Sequence, residues 1–383
     1  MTEILLTEPT PLGLYVHWPY CAGICPYCDF NVALDRRAGE AERLAAAILD
    51  DLKAQAATMG PRTLVSIFFG GGTPSLMAPE AAAAIVEAAR ALWPCAPDLE
   101  TTLEANPTDA EAARFDAFAR AGVNRLSLGV QALDDADLRF LGRNHSADEA
   151  RRAAAVAARA FPRLSLDLIY ARPGQTEPAW REELKAALDL GPEHLSPYQL
   201  TIEPGTAFDR AVRRKAFTPP DPDLAARLYE ATQETLRAAG FDAYEVSNHA
   251  KGPAARSRHN LVYWRGQDYL GVGPGAHGRL TTAQGRVATR TARAIPDYIA
   301  RVGEAGDGID ARELLNPVEA AEERLLLGLR VDEGVPLADL AALSLARLPD
   351  LQAQGFVRVQ TSRLIATAKG RPVLDRVIEE LVV

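Results

Sequence analysis

Cysteine is scarce. Four cysteines in 383 residues are too few to staple a fold, so the chain is not a disulfide scaffold. Positive charge is short as well: 42 Lys and Arg stand against 51 Asp and Glu, a net charge of −9. That balance excludes a general electrostatic grip on nucleic-acid phosphates. Long hydrophobic runs are missing. The longest uncharged stretch, residues 9–28, holds four prolines, two glycines and a histidine, and would not cross a bilayer as a plain helix. No basic-then-apolar leader opens the chain, because Met1 is followed by Thr2 and Glu3. Low-complexity segments are absent too. A hydrophobic fraction of 48% with 24% charged residues belongs to a globular protein rather than a disordered one. Together these features read as a soluble cytoplasmic protein, with peripheral membrane contact left open.

What is present is a repeated alternation. Short β-branched or aromatic runs stand at residues 14–18, 64–69, 99–104, 125–130, 164–170 and 194–201. Between them lie segments of helical spacing, the first with Leu44, Ile48 and Leu52 at every fourth position. Strand then helix, six times, predicts a parallel sheet with helices outside. Polar residues gather at the C-terminal ends of these strands. Cys21, Cys25 and Cys28 follow the first, and Gly70 to Thr73 the second. Glu104 ends the third, Gln131 follows the fourth, Asp167 lies in the fifth and Thr201 ends the sixth. One shared mouth at that rim is the barrel arrangement. The expected fold is α/β, a partial (β/α)6 TIM-like barrel with a lateral opening, spanning residues 1–215.

Residues 216–315 read as a connecting segment. Residues 316–383 read as a helical, winged-helix-like domain. Val318, Ala321, Leu325 and Leu329 share one face of its first helix, and a hairpin is expected over 356–368. From residue 317 onward, 8 basic and 10 acidic side chains favour a structural or docking role over DNA binding.

Three of the cysteines fall within eight residues, Cys21-x3-Cys25-x2-Cys28. Three thiolates on one tight loop suit a cubane iron–sulfur cluster whose fourth iron stays open to a small molecule. Two other readings stand beside it: a structural zinc held by these cysteines and His17, and a redox pair of Cys25 and Cys28. Cys95, remote from this loop, reads as structural or incidental. The run Gly70-Gly71-Gly72-Thr73 lets a backbone pass close to a ligand, or simply makes a tight strand-to-helix turn.

The words around the cysteines, from Leu14 to Cys21 and from Cys25 to Phe30, resemble the opening of the radical S-adenosylmethionine (SAM) superfamily. More narrowly they are similar to its branch holding oxygen-independent coproporphyrinogen dehydrogenase (HemN) and the haem chaperones (HemW). The resemblance runs over essentially the whole chain. It implies a [4Fe-4S] cluster on Cys21, Cys25 and Cys28. It also implies SAM binding by Tyr15, Tyr27, Gly71, Gly72, Thr73, Glu104, Gln131, Arg143 and Asp167. The chemistry is consistent: a sulfonium zwitterion needs a carboxylate near its ammonium, a cation near its carboxylate, and polar groups for its ribose. An electron from a flavodoxin- or ferredoxin-type partner would cleave SAM to methionine and a 5′-deoxyadenosyl radical. One local departure is Ala171-Arg172, where Gly-Leu is more usual before Pro-Gly-Gln-Thr.

Within the branch, three features point to the chaperone side. Phe30 stands where the dehydrogenase carries a further cysteine, and the arm before the first strand is short. The third is His259-Asn260-Leu261-Val262-Tyr263-Trp264, which matches the family's haem-associated H-N-x-x-Y-W motif. Histidine is a common haem ligand and Tyr263 and Trp264 suit a flat macrocycle, with Arg256, Arg258 and Arg265 near for its propionates. From residue types alone, a core histidine among packing aromatics remains open. His259 is the expected axial ligand, and His277 has a weaker claim. The expected function is haem binding and delivery to haem-requiring proteins such as respiratory enzymes. Coproporphyrinogen dehydrogenase activity is the alternative; a radical SAM enzyme on another substrate, such as tRNA, and a zinc scaffold are the remaining classes.

Overall fold

The computed structural model describes residues 10–34 and 38–382. The chain start at Met1 to Glu3, read above for a leader, lies outside the described residues. Twelve strands form one sheet. In chain order they are β1 (Thr10–Trp18), β2 (Arg62–Gly71), β3 (Cys95–Ala105), β4 (Arg125–Gln131), β5 (Arg163–Tyr170), β6 (His194–Gln199), β7 (Asp242–Ala243), β8 (His249–Ala250), β9 (Asp268–Val272), β10 (His277–Thr282), β11 (Gly285–Thr291) and β12 (Ile309–Leu314). Their order in space is β12-β11-β10-β9-β1-β2-β3-β4-β5-β6-β8-β7.

Strands β1 to β6 pair in parallel and in sequence. No reversal of order occurs among them, so they form successive units of a barrel wall rather than a doubly wound sheet with a switch point. Gly71 on β2 and Tyr198 on β6 line the same cavity. A flat sheet would hold those strands roughly 19 Å apart, so the sheet is curled. The alternation along β1 explains its two faces. Leu12, Leu14 and Val16 are fully buried in one core with Leu44, Ile48 and Leu52 of the helix Glu40–Ala57. Gly13, Tyr15 and His17 take the other face, into the barrel. Polar groups recur at the same period on the following strands, and they pair across the barrel wall. Ser127 donates to Asp167 (2.9 Å), and Ser165 bonds His194 (2.8 Å).

The expected six-unit partial barrel is present, and the wall extends beyond it. The stretch read as a connecting segment contributes β9, which pairs in parallel with β1 from Leu12↔Asp268 to Val16↔Val272. Strands β10 to β12 follow antiparallel. Asp268 anchors this addition. Fully buried, it binds Arg62 at the start of β2 (3.0 Å), Arg286 (3.2 Å) and the backbone N–H of Thr281 (3.0 Å). Dense glycine in residues 271–278 obscured the strand signal. Gly271 is required there because a Cβ would sit 2.1 Å from the His277 carbonyl oxygen.

At the C-terminus, the helix Pro317–Gly328 packs Ala321, Leu325 and Leu329 inward. Leu325 and Leu329 join Leu340, Leu351, Leu364 and Ile378 in a separate core. Val318, expected on that face, is 45% exposed; the apolar stripe starts one turn later. The expected hairpin is Val357–Gln360 with Arg363–Ala366, and Val335–Pro336 adds a third strand.

Candidate functional site

The loop after β1 carries Cys21, Cys25 and Cys28, all free and half-buried. A turn closed by Cys28 N–H to Cys25 O (3.1 Å) shapes it. The three cysteines line a cavity of about 470 Å³. The same cavity collects Tyr27, Gly71, Gly72, Thr73, Glu104, Gln131, Arg143 and Asp167. Tyr15, expected at the same rim, lines a neighbouring cavity instead. Tyr15 belongs to β1 itself, below the loop, so its hydroxyl meets His17 Nδ1 (3.0 Å) rather than the cysteines.

Arg143 is the hub. Its Nη1 donates to Cys25 Sγ (3.3 Å) and Tyr27 Oη (3.5 Å); its Nη2 donates to the Gly129 carbonyl (3.2 Å) and to Asn106 Oδ1. Asn106, which sequence reasoning missed, also donates to Thr73 Oγ1 (3.1 Å). Burial pushes the Cys21 thiol up to about 11, against a hydrogen bond with Thr73. Gln131 holds a φ of 66°, a left-handed value unusual for glutamine, and its buried Oε1 has no partner among the described residues. Burial, reinforced by Asp167, pushes the Glu104 carboxyl up to about 8, against the Gly71 N–H (3.3 Å) and Arg125. The glycine run has a different first reason from ligand approach. A Cβ on Gly72 would lie 2.6 Å from the Pro19 carbonyl oxygen, so the turn must pass bare beneath the cysteine loop.

The neighbouring cavity, about 790 Å³, shares Phe30, Gly71 and Glu104 with the first. Its walls include Tyr15, His17, Tyr263, Trp264, Tyr269, His277, Arg290 and Arg293. The motif residues form the helix Arg258–Trp264, which packs onto the inner face of β1 and β2. Gly13 makes room for it, with Val262 and His259 near the place a Cβ would take.

His259, expected as an iron ligand, is 1% exposed, and burial drives its pKa down to about 3. Its Nδ1 bonds Ser66 Oγ (2.9 Å), its Nε2 bonds Tyr263 Oη (2.7 Å), and its ring stacks on Phe68 at 4.9 Å. Both ring nitrogens are hydrogen-bonded in this structure, and the ring sits beneath Tyr263 rather than on a cavity wall. Asn260 lines neither cavity; its N–H takes the Ser257 cap (3.3 Å). Arg256, Arg258 and Arg265 turn away to ion pairs with Asp332, Asp98 and Glu333. The zinc reading loses its fourth ligand: His17 Nε2 donates to the Asn31 carbonyl (2.9 Å), and its Nδ1 accepts from Tyr15. Among the described residues, no three such side chains converge on a point for a single ion. A cubane, with iron at several corners, asks for no such point.

Residues 15–187 match the Radical SAM superfamily, and residues 315–373 match the HemN C-terminal domain. The heme chaperone HemW of Mycobacterium tuberculosis is 36% identical over 374 residues, covering 97% of this chain and 95% of its own. This chain belongs to the radical SAM superfamily, in its HemN/HemW branch. Another relative in this family is the mitochondrial radical S-adenosyl methionine domain-containing protein 1 of Bos taurus, 42% identical over 386 residues, 96% of this chain and 87% of its own. Coproporphyrinogen III oxidase (HemN) of Escherichia coli superposes with a TM-score of 0.81 over 98% of this chain and 90% of its own. At 22% identity that likeness establishes the shared fold. Membership in the radical SAM superfamily implies a [4Fe-4S] cluster and SAM. The residues present suit both groups: three thiols on one loop, the Glu104 and Asp167 carboxyls, the Gln131 amide and the Arg143 guanidinium line one cavity. Among the described residues, no helix is long and apolar enough to cross a membrane.

Proposed function

We propose that this radical SAM protein holds its cluster on Cys21, Cys25 and Cys28, SAM beside it, and haem in the adjoining cavity. It hands haem to haem-requiring proteins of the cytoplasm or of respiration, and it does not act as a coproporphyrinogen dehydrogenase. The observation that carries this reading is the second cavity. It is large enough for an organic cofactor, it is walled by Tyr263 and Trp264 of the motif, and it opens onto the cysteine cavity through shared residues. The relatives named as heme chaperones support the same reading. Phe30, where the dehydrogenase has a cysteine, is 63% exposed and lies at the junction of the two cavities.

When bound, the cluster and SAM supply one-electron chemistry at the sulfonium, fed by a flavodoxin- or ferredoxin-type reductant. The chain's own residues do the holding. Arg143 takes the carboxylate of SAM while keeping the cysteine loop in place. Gln131 Oε1 and Asp167 serve its hydroxyls, Tyr27 lies against its adenine, and Glu104 takes the ammonium.

The Glu104 role has a pH signature. With its pKa raised to about 8, the carboxyl is protonated in the empty site at pH 7. A bound ammonium pulls that pKa down, so SAM binding releases a proton. SAM affinity of the reconstituted protein therefore rises toward pH 8 and levels above it, by up to about tenfold per pH unit below 8. Calorimetry in buffers of different ionisation enthalpy measures the released proton, and Glu104→Gln removes both the release and the slope.

The proposal is tested by anaerobic reconstitution followed by haem titration and by incubation with coproporphyrinogen III, SAM and a reductant. The expected result is saturable haem uptake without protoporphyrinogen IX. Turnover without haem uptake would reverse the assignment.

A further inference from the structure

We propose that the cationic end of the short helix Ala207–Arg213, carrying Arg210, Arg213, Arg214 and Lys215, is the docking surface for an acidic, flavodoxin-type carrier that delivers the electron to the cysteine loop. The inference rests on the cluster reading above and adds the place where the reductant sits.

The charge is unusual for this chain. Against a net charge of −9, Arg213-Arg214-Lys215 is the longest run of cations in the sequence, and Arg210 stands one turn before it. All four side chains are exposed. Arg213 pairs with Asp209 (2.8 Å), and Arg210 Nη1 donates to the Gly205 carbonyl (2.8 Å). Arg214 and Lys215 have no ion pair among the described residues. One cation near a helix C-terminus answers the helix dipole. Further uncompensated charges repel one another and call for a different reason.

The backbone gives the same indication. Lys215 has a φ of 57°, and its N–H reaches the Val212 carbonyl (2.9 Å) while the Ala216 N–H reaches the Ala211 carbonyl (2.9 Å). This is the helix end at which glycine is usual. A lysine there gives up the conformational ease of glycine and gains an exposed charge. The mount is firm. Phe208 is buried, stacks on Phe140 at 4.8 Å and meets Phe217 edge-on at 5.1 Å. The cations therefore stand on a packed aromatic platform.

That platform touches the cysteine loop. The Phe208 N–H donates to the carbonyl of Pro26 (2.9 Å), the residue after Cys25, and Tyr27 lies 6.3 Å from the Phe208 ring. One hydrogen bond and one peptide unit thus separate the helix from Cys25. A membrane or a nucleic acid would answer the positive charge, but neither explains its place beside the cysteines. Ile24, 52% exposed on the same loop, offers an apolar contact for the exposed edge of a flavin ring. An iron–sulfur carrier, with its centre wrapped in its own loop, presents no such edge. One electron leaves the carrier's reduced flavin, which is oxidised by one, and the cluster held by the three cysteines is reduced by one; no bond is made or broken across the interface.

The test uses the anaerobically reconstituted full chain and a bacterial flavodoxin. Oxidised flavodoxin should bind wild type at low ionic strength and weaken as salt is added. Reduced flavodoxin should bleach the visible absorption of the cluster. In the double variant Arg214→Glu with Lys215→Gly, association should fall about tenfold or more and bleaching should slow with it. The glycine eases the left-handed position, so the fold is kept. Iron content, SAM binding and bleaching by dithionite, which needs no docking, should match wild type. Arg214→Lys should behave as wild type. The proposal is overturned if the double variant binds flavodoxin and is reduced by it as wild type is. It is equally overturned if that variant loses only binding to vesicles of phosphatidylglycerol and phosphatidylcholine, or if a plant-type ferredoxin alone depends on these cations. In those cases the cluster reading stands. If dithionite bleaches no cluster in wild type, the proposed function falls, and the docking surface with it.

Discussion

Cys25→Ala is expected to yield a folded protein with iron and sulfide at background and no visible iron–sulfur absorption. The three thiols sit half-buried on a loop outside the main apolar core, so their loss costs little stability. Cluster binding is different, because each thiolate serves its own iron and no fourth sulfur stands by. Cys95, at the start of β3, donates to the Trp93 carbonyl (3.6 Å), packs against the core outside the cysteine cavity and cannot substitute. Cys95→Ala should therefore keep full iron and sulfide. SAM affinity should fall with the cluster in Cys25→Ala, since the open iron is half of the SAM site. Metal analysis after anaerobic purification decides this. Stoichiometric zinc in wild type, or iron retained in Cys25→Ala, would remove the radical SAM assignment of this loop.

Glu100→Ala is expected to be the most destabilising single change in the barrel, by about 3–5 kcal/mol. Glu100 is fully buried on β3 and accepts from Arg163 Nη1 (2.6 Å). It also accepts the backbone N–H groups of Arg258 (3.1 Å) and His259 (3.1 Å), the first turn of the helix that holds Tyr263 and Trp264. One carboxylate thus balances a buried guanidinium and takes two first-turn N–H groups of a helix that Ser257 also caps. Removing it leaves Arg163 with Glu193 alone and takes a counter-charge from the nearly buried Arg125. Thermal unfolding should shift down by roughly 5 °C for a chain of this size. Haem uptake should weaken in parallel, because the helix loses its anchor to the wall.

Acid tests the same carboxylate. Burial alone would raise its pKa, but Arg125, Arg163 and the two N–H groups outweigh that and hold it below the usual value. A depressed folded pKa means stability that is present above the unfolded value, about 4.3, and lost as pH falls through the folded one. Wild type should lose this increment in acid, whereas Glu100→Ala has none to lose. Glu104, four residues along the same strand, behaves oppositely because it faces Asp167 and a cavity rather than two arginines.

Much of this was legible in the chain. The six strand–helix units follow from local alternation, since period two and period near four are imposed on neighbours in sequence. The cysteine loop and the polar strand ends could be assigned to one rim because a parallel barrel sends every strand end to the same side. Other features were illegible for stated reasons. β9 to β12 lie in glycine-dense sequence, and their place beside β1 is secured by Asp268 and Arg62, 206 residues apart. Glu100 and its helix cap are 158 residues apart. A sequence signal for the polar barrel interior did exist in Glu100-x-Thr102-x-Glu104 and Ser165-x-Asp167, where polar groups alternate within apparently apolar strands.

By itself, then, the sequence determined the family, the barrel units and the residues around the cysteine cavity, because those rest on local pattern and on contiguous motifs. Only the tertiary structure decided which cavity each residue faces. It moved Tyr15 to the second cavity, turned three arginines away, and set His259 between Ser66 and Tyr263. Whether a side chain is available to a ligand depends on which distant partners already use its lone pairs and charge, and no spacing along the chain records that.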